Sequence, residues 1–213
     1  RRWHFQLTHH DIWDWDIPSA PVLADLPNGN KVLMSVTKQA YVYTFDRETG
    51  EPIWPIEELP VPAGDIPGEW YSPTQPIPTR PAPFDRNTFT EADLIDWTPE
   101  IRALALEAIE GFRLSPNVYS PPSMTDASDG TRGTLHLPSA TGGANWEGAA
   151  IDAETGILYV PSRTALSMLS MAKDENSDIA FSQGFGVRVP RIQGLDIVKP
   201  PYGHITAIDM NSG

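Results

Sequence analysis

The sequence predicts an all-β chain, built from repeated units of antiparallel sheet of the kind that assemble into a propeller. Three observations carry that prediction. A phrase recurs: Thr44-Phe45-Asp46-Arg47-Glu48-Thr49-Gly50 and Ala207-Ile208-Asp209-Met210-Asn211-Ser212-Gly213 share the form small, apolar, Asp, two free positions, Thr or Ser, Gly. A sheet unit repeated with its own turn signature is the mark of propellers. Twenty-two prolines, sixteen glycines and seven tryptophans in 213 residues point to a turn-rich β protein with long ordered loops, not a helical bundle. Short alternating runs separated by turn residues fill the first fifty positions.

Taken in order, Trp3 to Gln6 alternates and reads as the tail of a strand. His9-His10-Asp11-Ile12-Trp13-Asp14-Trp15-Asp16 follows, with three carboxylates, two imidazoles and two indoles in eight residues. On an extended backbone Asp14 and Asp16 face one side and Trp13 and Trp15 the other. Ala20 to Leu26 is expected to be a strand. Asn28-Gly29-Asn30 turns it, because Asn and Gly tolerate positive φ. Val32 to Thr37 is the return strand, Lys38-Gln39 sits at its end, and Ala40 to Asp46 is the next strand. The run is thus expected to hold four strands of one sheet unit.

From Pro55 to Ser139 the pattern changes. Prolines at 60, 62, 67, 73, 76, 78, 81 and 83 argue against regular strands over most of its first half. One helix is expected there: Thr98 caps, Pro99 opens the first turn, Ile101, Leu104, Ala105 and Ala108 share a face, and Gly111 ends it. Thr90 to Asp96 reads as a short helical turn. Sheet structure returns with Ala149 to Ile151 and Ile157 to Pro161, joined by Asp152-Ala153-Glu154-Thr155-Gly156, a looser echo of the repeated phrase with Val160 where a Trp would stand. Leu166 to Tyr202 is expected to be irregular, with a polar, mobile middle at Lys173 to Asp178. His204 to Asp209 is the last strand. The organisation expected is a blade over 1–59, a proline-rich insertion over 60–140 with its helix at about 99–110, and the next blade over 141–213 with an insertion at 165–202. Propellers close with typically four to eight blades, so about two blades read as a piece of a longer chain.

Charge and composition exclude several classes. A net charge of −13 disfavours a nucleic-acid partner. No apolar run approaches the roughly 20 residues of a membrane-spanning helix. Arg1-Arg2-Trp3-His4 leads into no apolar stretch, so no signal peptide is read here. The absence of cysteine removes disulfides, thiolate metal sites and thiol nucleophiles.

These segments together resemble the pyrroloquinoline quinone (PQQ)-dependent dehydrogenases, the quinoprotein family. The repeated phrase looks like the tryptophan-docking motif that staples their blades. The cluster His9 to Asp16, followed by Pro18 and Pro21-Val22-Leu23-Ala24-Asp25-Leu26, is similar to the family's segment around its catalytic aspartate. Thr37-Lys38-Gln39 and Phe45-Asp46-Arg47 match the next strands, and Gly142-Gly143-Ala144-Asn145-Trp146 looks like a later cofactor-contacting turn. Pro60-Val61-Pro62 through Ser72-Pro73-Thr74-Gln75-Pro76 resembles the glucose, quinate and shikimate branch. The resemblance implies an eight-bladed propeller of four-stranded sheets, of which this chain is part. It also implies oxidation of a sugar, polyol or cyclic alcohol, with Asp14 as general base beside a Lewis-acid metal. Lys38 would stabilise negative charge on the quinone oxygens, Asn145 would contact the cofactor and Trp146 would line its site. Asp14 and Asp16 would be metal ligands, for calcium or another hard cation, a lanthanide included. Ubiquinone or cytochrome c would accept the electrons, the location would be periplasmic, with any membrane association lying outside this chain, and the rest of the propeller would be a partner. The remaining metal ligands and the Trp beneath the quinone would come from earlier blades.

By the residues alone, blander readings stand. His9 and His10 read as hydrogen-bonded structural histidines. Asp11 reads as a network acceptor, Asp14 as a turn residue, Lys38 as a strand-end charge and Asn145 as a turn former. Trp3, Trp54 and Trp13 read as blade-packing residues. The alternative to an enzyme is a propeller scaffold without cofactor, in which the acidic cluster has no chemical role. A metal hydrolase using His9, His10 and Asp11 is disfavoured, because adjacent strand residues point to opposite faces and the helical His spacing of zinc hydrolases is absent.

Overall fold

The structure is a computed structural model describing residues 2–174, 176–184 and 187–213. The first sheet joins β1 (Val22–Asp25), β2 (Lys31–Val36) and β3 (Val42–Asp46) in that order, all antiparallel. Leu26 to Asn30 makes the first turn, with Gly29 at φ 89. Trp3 to Gln6 forms no strand, so this unit has three strands where four were expected. The place of a fourth is touched only by a single bridge from Pro52 to Phe45.

Two-residue periodicity makes this sheet the middle layer of the molecule. Val32, Met34, Val36 and Val42 point to one face and pack in one core with Leu158, Val160, Ile208 and Met210. Tyr41, Tyr43 and Phe45 point to the other face, into an aromatic core with Trp13, Trp15 and Tyr119.

The proline-rich stretch contains a regular hairpin, contrary to expectation: β4 (Ile56–Pro60) pairs with β5 (Thr74–Pro78). The reason lies in the register. Pro60, Pro76 and Pro78 all fall in pairs whose neighbours carry the ladder bonds, from Thr79 N to Pro55 O and from Val61 N to Pro73 O. Prolines two apart share one edge, and here that edge needs no donor. Glu91–Asp93 is a single 3₁₀ turn, and α1 (Pro99–Ala108) starts at Thr98, whose Oγ1 accepts from Ile101 N. Ala105 of α1 is buried, but Leu104, expected on the same face, is exposed.

β6 (Arg113–Leu114), β7 (Ser123–Met124) and β8 (Thr134–His136) are short. β9 (Ala150–Asp152) and β10 (Ile157–Arg163) form the second main hairpin. β11 (Ser167–Ala172) lies in the segment expected to be irregular, yet it pairs with β8, with β7 and with β12 (Ser182–Gln183). Its Ser-Met-Leu-Ser-Met sequence lacks β-branched and aromatic residues, so its β signal is weak until partners are present. Glu175, in the polar run expected to be mobile, lies outside the described residues. β13 (Arg191–Ile192) and β14 (Leu195–Asp196) make a small hairpin, and β15 (Gly203–Asp209) pairs along the whole of β10.

The two copies of the phrase fold alike. Asp46 Oδ1 accepts from Glu48 N and Thr49 N, both at 2.8 Å, and Asp209 Oδ1 accepts from Asn211 N at 2.9 Å. These bonds hold both carboxyls below the usual aspartate range. Each turn carries a tryptophan from elsewhere in the chain. Trp3 lies on Gly50, where a Cβ would fall 2.5 Å from its ring, and donates Nε1 to Arg47 O at 3.2 Å. Trp54 lies against Gly213, where a Cβ would fall 3.1 Å from Cε2. Asp152 builds the same turn, but Gly156 there meets Asn211 instead of a tryptophan.

Candidate active site

Asp11 organises the acidic cluster. Its Oδ1 accepts from Trp13 N at 2.9 Å and its Oδ2 from Trp15 N at 2.6 Å. The segment is therefore a carboxylate-pinned loop, not the extended strand end assumed from alternation. Asp14 takes a left-handed φ of 69° and His10 one of 43°, a conformation that Asp tolerates better than most residues. The sidedness survives by this different route. Trp13 and Trp15 stack at 5.2 Å and 15°, buried, with Tyr119 edge-on to both. Trp13 Nε1 donates to Ser120 O at 2.8 Å. Asp14 and Asp16 project the other way, their side chains 74% and 63% exposed.

Both meet Lys38, whose side chain is only 7% exposed. Its ammonium donates to Asp14 O at 2.8 Å, Asp14 Oδ2 at 3.2 Å and Asp16 Oδ1 at 2.5 Å. All three ammonium donors are thereby committed. Burial works to lower the Lys38 pKa, but the bonds to Asp16 and Asp14 and their charges outweigh it, so it lies above the ordinary lysine value and the group stays a cation.

The glycine turn predicted as a cofactor contact lies directly against this lysine. Gly142 has φ 85°, and a Cβ there would come within 2.5 Å of Lys38 Cγ and 2.7 Å of its Cα. Gly143 N donates to Lys38 O at 2.9 Å. Asn145 donates Nδ2 to Thr141 O at 2.5 Å, and Trp146 is 86% exposed. Both line a cleft of about 500 Å³ together with Gly142, Gly143, Ser162 and Arg163. The structure thus brings Asp14, Asp16 and Lys38 together, sets the glycine turn on Lys38, and leaves Asn145 and Trp146 on the adjoining cleft. Arg163 and Ser162 were missed. They stand at the end of β10 with no local motif, and the bond from Arg163 N to Gly143 O (2.8 Å) ties them to the glycine turn.

His9 and His10 are each hydrogen-bonded to a glutamate: His9 Nε2 meets Glu58 Oε1 and His10 Nε2 meets Glu69 Oε1, each at 2.9 Å. Gln75 clamps the His9 backbone from both sides, at 2.7 Å each. Burial works to raise the Glu58 carboxyl, but bonds from His9 and Thr74 outweigh it and its pKa is lowered. A histidine not singled out from sequence, His136, lies beneath the loop with its ring 5.3 Å from Trp15. Burial lowers its pKa to about 4 against a raising bond to the backbone of Pro138.

The donor set fits the implied groups in part. Two adjacent carboxylates are oxygen donors of the kind a hard cation takes, but calcium takes six to eight oxygens. Among the described residues no cluster of three or more His, Asp or Glu could hold a metal. This chain therefore offers a fraction of such a shell. For an anionic quinone, the cationic Lys38 and the glycine turn packed against it are a matching wall.

A family described as "PQQ: Glucose/ethanol/alcohol dehydrogenase, beta-propeller domain" matches residues 1–213. The quinate/shikimate dehydrogenase (quinone) of Acinetobacter baylyi is 28% identical, over 99% of this chain and 28% of its own length. The glycerol dehydrogenase large subunit of Gluconobacter thailandicus is 31% identical, over 100% of this chain and 32% of its own. The quinoprotein glucose dehydrogenase of Escherichia coli is 27% identical, over 99% and 28%. The chain thus spans less than a third of these relatives' length. Among solved structures, a europium-containing methanol dehydrogenase superposes with a TM-score of 0.51 at 18% identity, over 98% of this chain and 29% of that one. At that identity the likeness shows the fold, and this mostly-strand chain is an all-β part of such a propeller.

Proposed function

The chain belongs to the PQQ glucose/ethanol/alcohol dehydrogenase β-propeller family, and from that membership we propose that it carries the proton-accepting wall of a quinoprotein dehydrogenase acting on a sugar, polyol or cyclic alcohol. The observation that carries this reading is the Lys38 clamp, which fixes the Asp14 backbone and one carboxylate oxygen and leaves the side chain largely open to solvent.

Asp14 takes the proton of the substrate hydroxyl. It is paired with an adjacent ammonium and oriented by two bonds from one lysine, which is what a positioned base requires. Lys38 supplies a fixed positive charge that favours developing negative charge on the oxygens of a bound quinone. Gly142 lets the turn approach Lys38 closely, and Asn145 and Trp146 form the neighbouring wall. The quinone, when bound, supplies the hydride acceptor. Asp14 and Asp16 would contribute oxygens to a hard cation, calcium or a lanthanide, whose other donors lie outside this chain. By the same resemblance we assign electron transfer onward to ubiquinone or cytochrome c and a periplasmic location.

The test is Asp14→Asn in protein loaded with quinone and calcium. Quinone affinity should hold while alcohol-dependent reduction of an artificial acceptor falls by about 10²- to 10⁴-fold. Full turnover in the variant would refute Asp14 as base. Failure of the folded parent to bind quinone would turn the reading to a scaffold without cofactor.

A further inference from the structure

Resting on the dehydrogenase reading, a second feature of the same site bears on which alcohol it takes. A cavity of about 300 Å³ opens beside Asp14, walled by Ile12, Pro122, Met168, Leu169 and Met171. A second, of about 340 Å³, continues from it: Ile12, Pro122 and Met171 belong to both walls, and Ile66, Ile179 and Phe181 line the far part. Each is at the small end of ligand cavities, about 300 to 1,000 Å³. Together they make a groove that has Asp14 in its near wall and is lined mostly by hydrocarbon and thioether, with Ser170, Gln183 and Glu69 as its other polar side chains.

The polar groups along this groove are few and mostly occupied. Ser170 Oγ donates to Gly184 O at 3.4 Å. Glu69 Oε1 accepts from Trp70 N and pairs with His10. Gln183 is the remaining polar side chain of the near wall. A polyol laid here would set several hydroxyls against methyl and thioether groups with no partner, which is how a site rejects a polar ligand. A hydrocarbon body would instead be buried at no such cost.

We infer that the groove from Asp14 to Phe181 binds the hydrocarbon body of the substrate, so that the alcohol oxidised carries an alicyclic or aliphatic group in place of a polyol chain. The hydroxyl lies at Asp14 and the apolar body runs past Met171 toward Phe181. Met171 is the specificity-determining residue, because it stands where the two cavities join.

The experiment titrates 1-methylcyclohexanol into protein loaded with quinone and calcium, read by calorimetry and by saturation-transfer NMR. As a tertiary alcohol it has no carbinol hydrogen to transfer, so binding is measured apart from turnover. Saturable binding is expected, weakened about tenfold by Met171→Gln and restored by Met171→Leu. The absence of saturable binding, indifference to Met171→Gln, or equal competition by glycerol overturns the inference. Protein that binds the probe through Met171 but oxidises no alcohol keeps the groove and loses the dehydrogenase reading. Protein that oxidises polyols without affinity for the probe keeps the dehydrogenase reading and loses the groove.

Discussion

Acidification should destabilise this protein through His136, by an amount that follows from its surroundings. The ring is 1% exposed. Its Nδ1 lies 3.0 Å from Pro138 O; a carbonyl only accepts, so Nδ1 carries the proton and Nε2 is the bare nitrogen. Nε2 is buried with no hydrogen-bond partner. Protonation there would bury a charge that the backbone of Pro138 and Val118 offsets only in part, so burial wins and the pKa falls from 6.5 to about 4. In the unfolded chain the imidazole recovers its ordinary value, so between those two values the unfolded state binds more protons than the folded one. The His136 contribution is therefore fully present above pH 6.5 and is lost as pH falls toward 4. At about 1.4 kcal/mol per unit, the whole span is worth about 3 kcal/mol. The assay is urea unfolding at pH 7.5, 6 and 4.5, compared with His136→Asn, whose amide nitrogen can replace the Nδ1 donor. Carboxylates titrate in both proteins, so the difference between the two curves isolates His136. The gap should close by about 2 to 3 kcal/mol on going from pH 7.5 to 4.5. Parallel curves would show that the ring is solvated or paired, and would refute the buried, neutral assignment.

Other perturbations test the site's construction. Gly142→Ala adds left-handed strain of about 1–2 kcal/mol and an overlap with the Lys38 backbone of about 1–3 kcal/mol; a loss of about 2–5 kcal/mol in denaturant unfolding is expected, and a loss under 1 kcal/mol would show that the turn is free of Lys38. Asp11→Ala removes both backbone anchors of the loop and should cost about 1–2 kcal/mol after allowing for exposure, with a change in near-ultraviolet circular dichroism as the Trp13–Trp15 stack loosens; an unchanged spectrum contradicts the anchoring role. Asp14→Ala should be about 1 kcal/mol less stable than Asp14→Asn, because Asn tolerates positive φ and Ala does not; equal midpoints would mean that Asp14 is not held left-handed.

What could be read in the sequence was what local chemistry determines. The Asp-x-x-Thr/Ser-Gly phrase specifies its turn within five residues, through a carboxylate that reaches its own backbone, so both copies fold as expected. Tyr41, Tyr43 and Phe45 alternate, and alternation fixes a face once a strand has formed. Asp14 and Lys38 were legible only through resemblance to a family, since a strand-end lysine and a turn aspartate 24 positions apart carry no local signal of contact. The sidedness of Asp14 and Trp13 was expected for the wrong reason: the Asp11 carboxylate bends the backbone, and the strand geometry that would have produced it is absent. β4 and β5 were hidden because proline counts against a strand until the register is known. Arg163 was hidden because its approach depends on a pairing between segments twenty residues apart.

The site lies where it does because the ends of two sheets are laced together there. Lys38 sits at the tip of the β2–β3 hairpin, whose tight turn needs Ala40 at φ 68° and is closed by Ala40 N to Thr37 O. One face of that hairpin is fixed by the aliphatic core and the other by the aromatic core, so its tip has little freedom to move. From the tip, Lys38 O accepts Gly143 N, and Gly143 O accepts Arg163 N at the end of β10. A second lace runs parallel to it: Ala40 O accepts Phe84 N at 2.9 Å, and Phe84 O accepts from Thr206 Oγ1 of β15 at 2.8 Å. Both laces tie the first sheet to the β10–β15 pair. The same hairpin tip thus carries the ammonium that holds Asp14 and Asp16 and the carbonyl that holds the glycine turn, so a displacement of one must displace the other. The acidic loop is the more exposed partner, pinned by Asp11 from within and by Lys38 from the hairpin, so the geometry of Asp14 is set by the stiffer hairpin together with the loop that carries it.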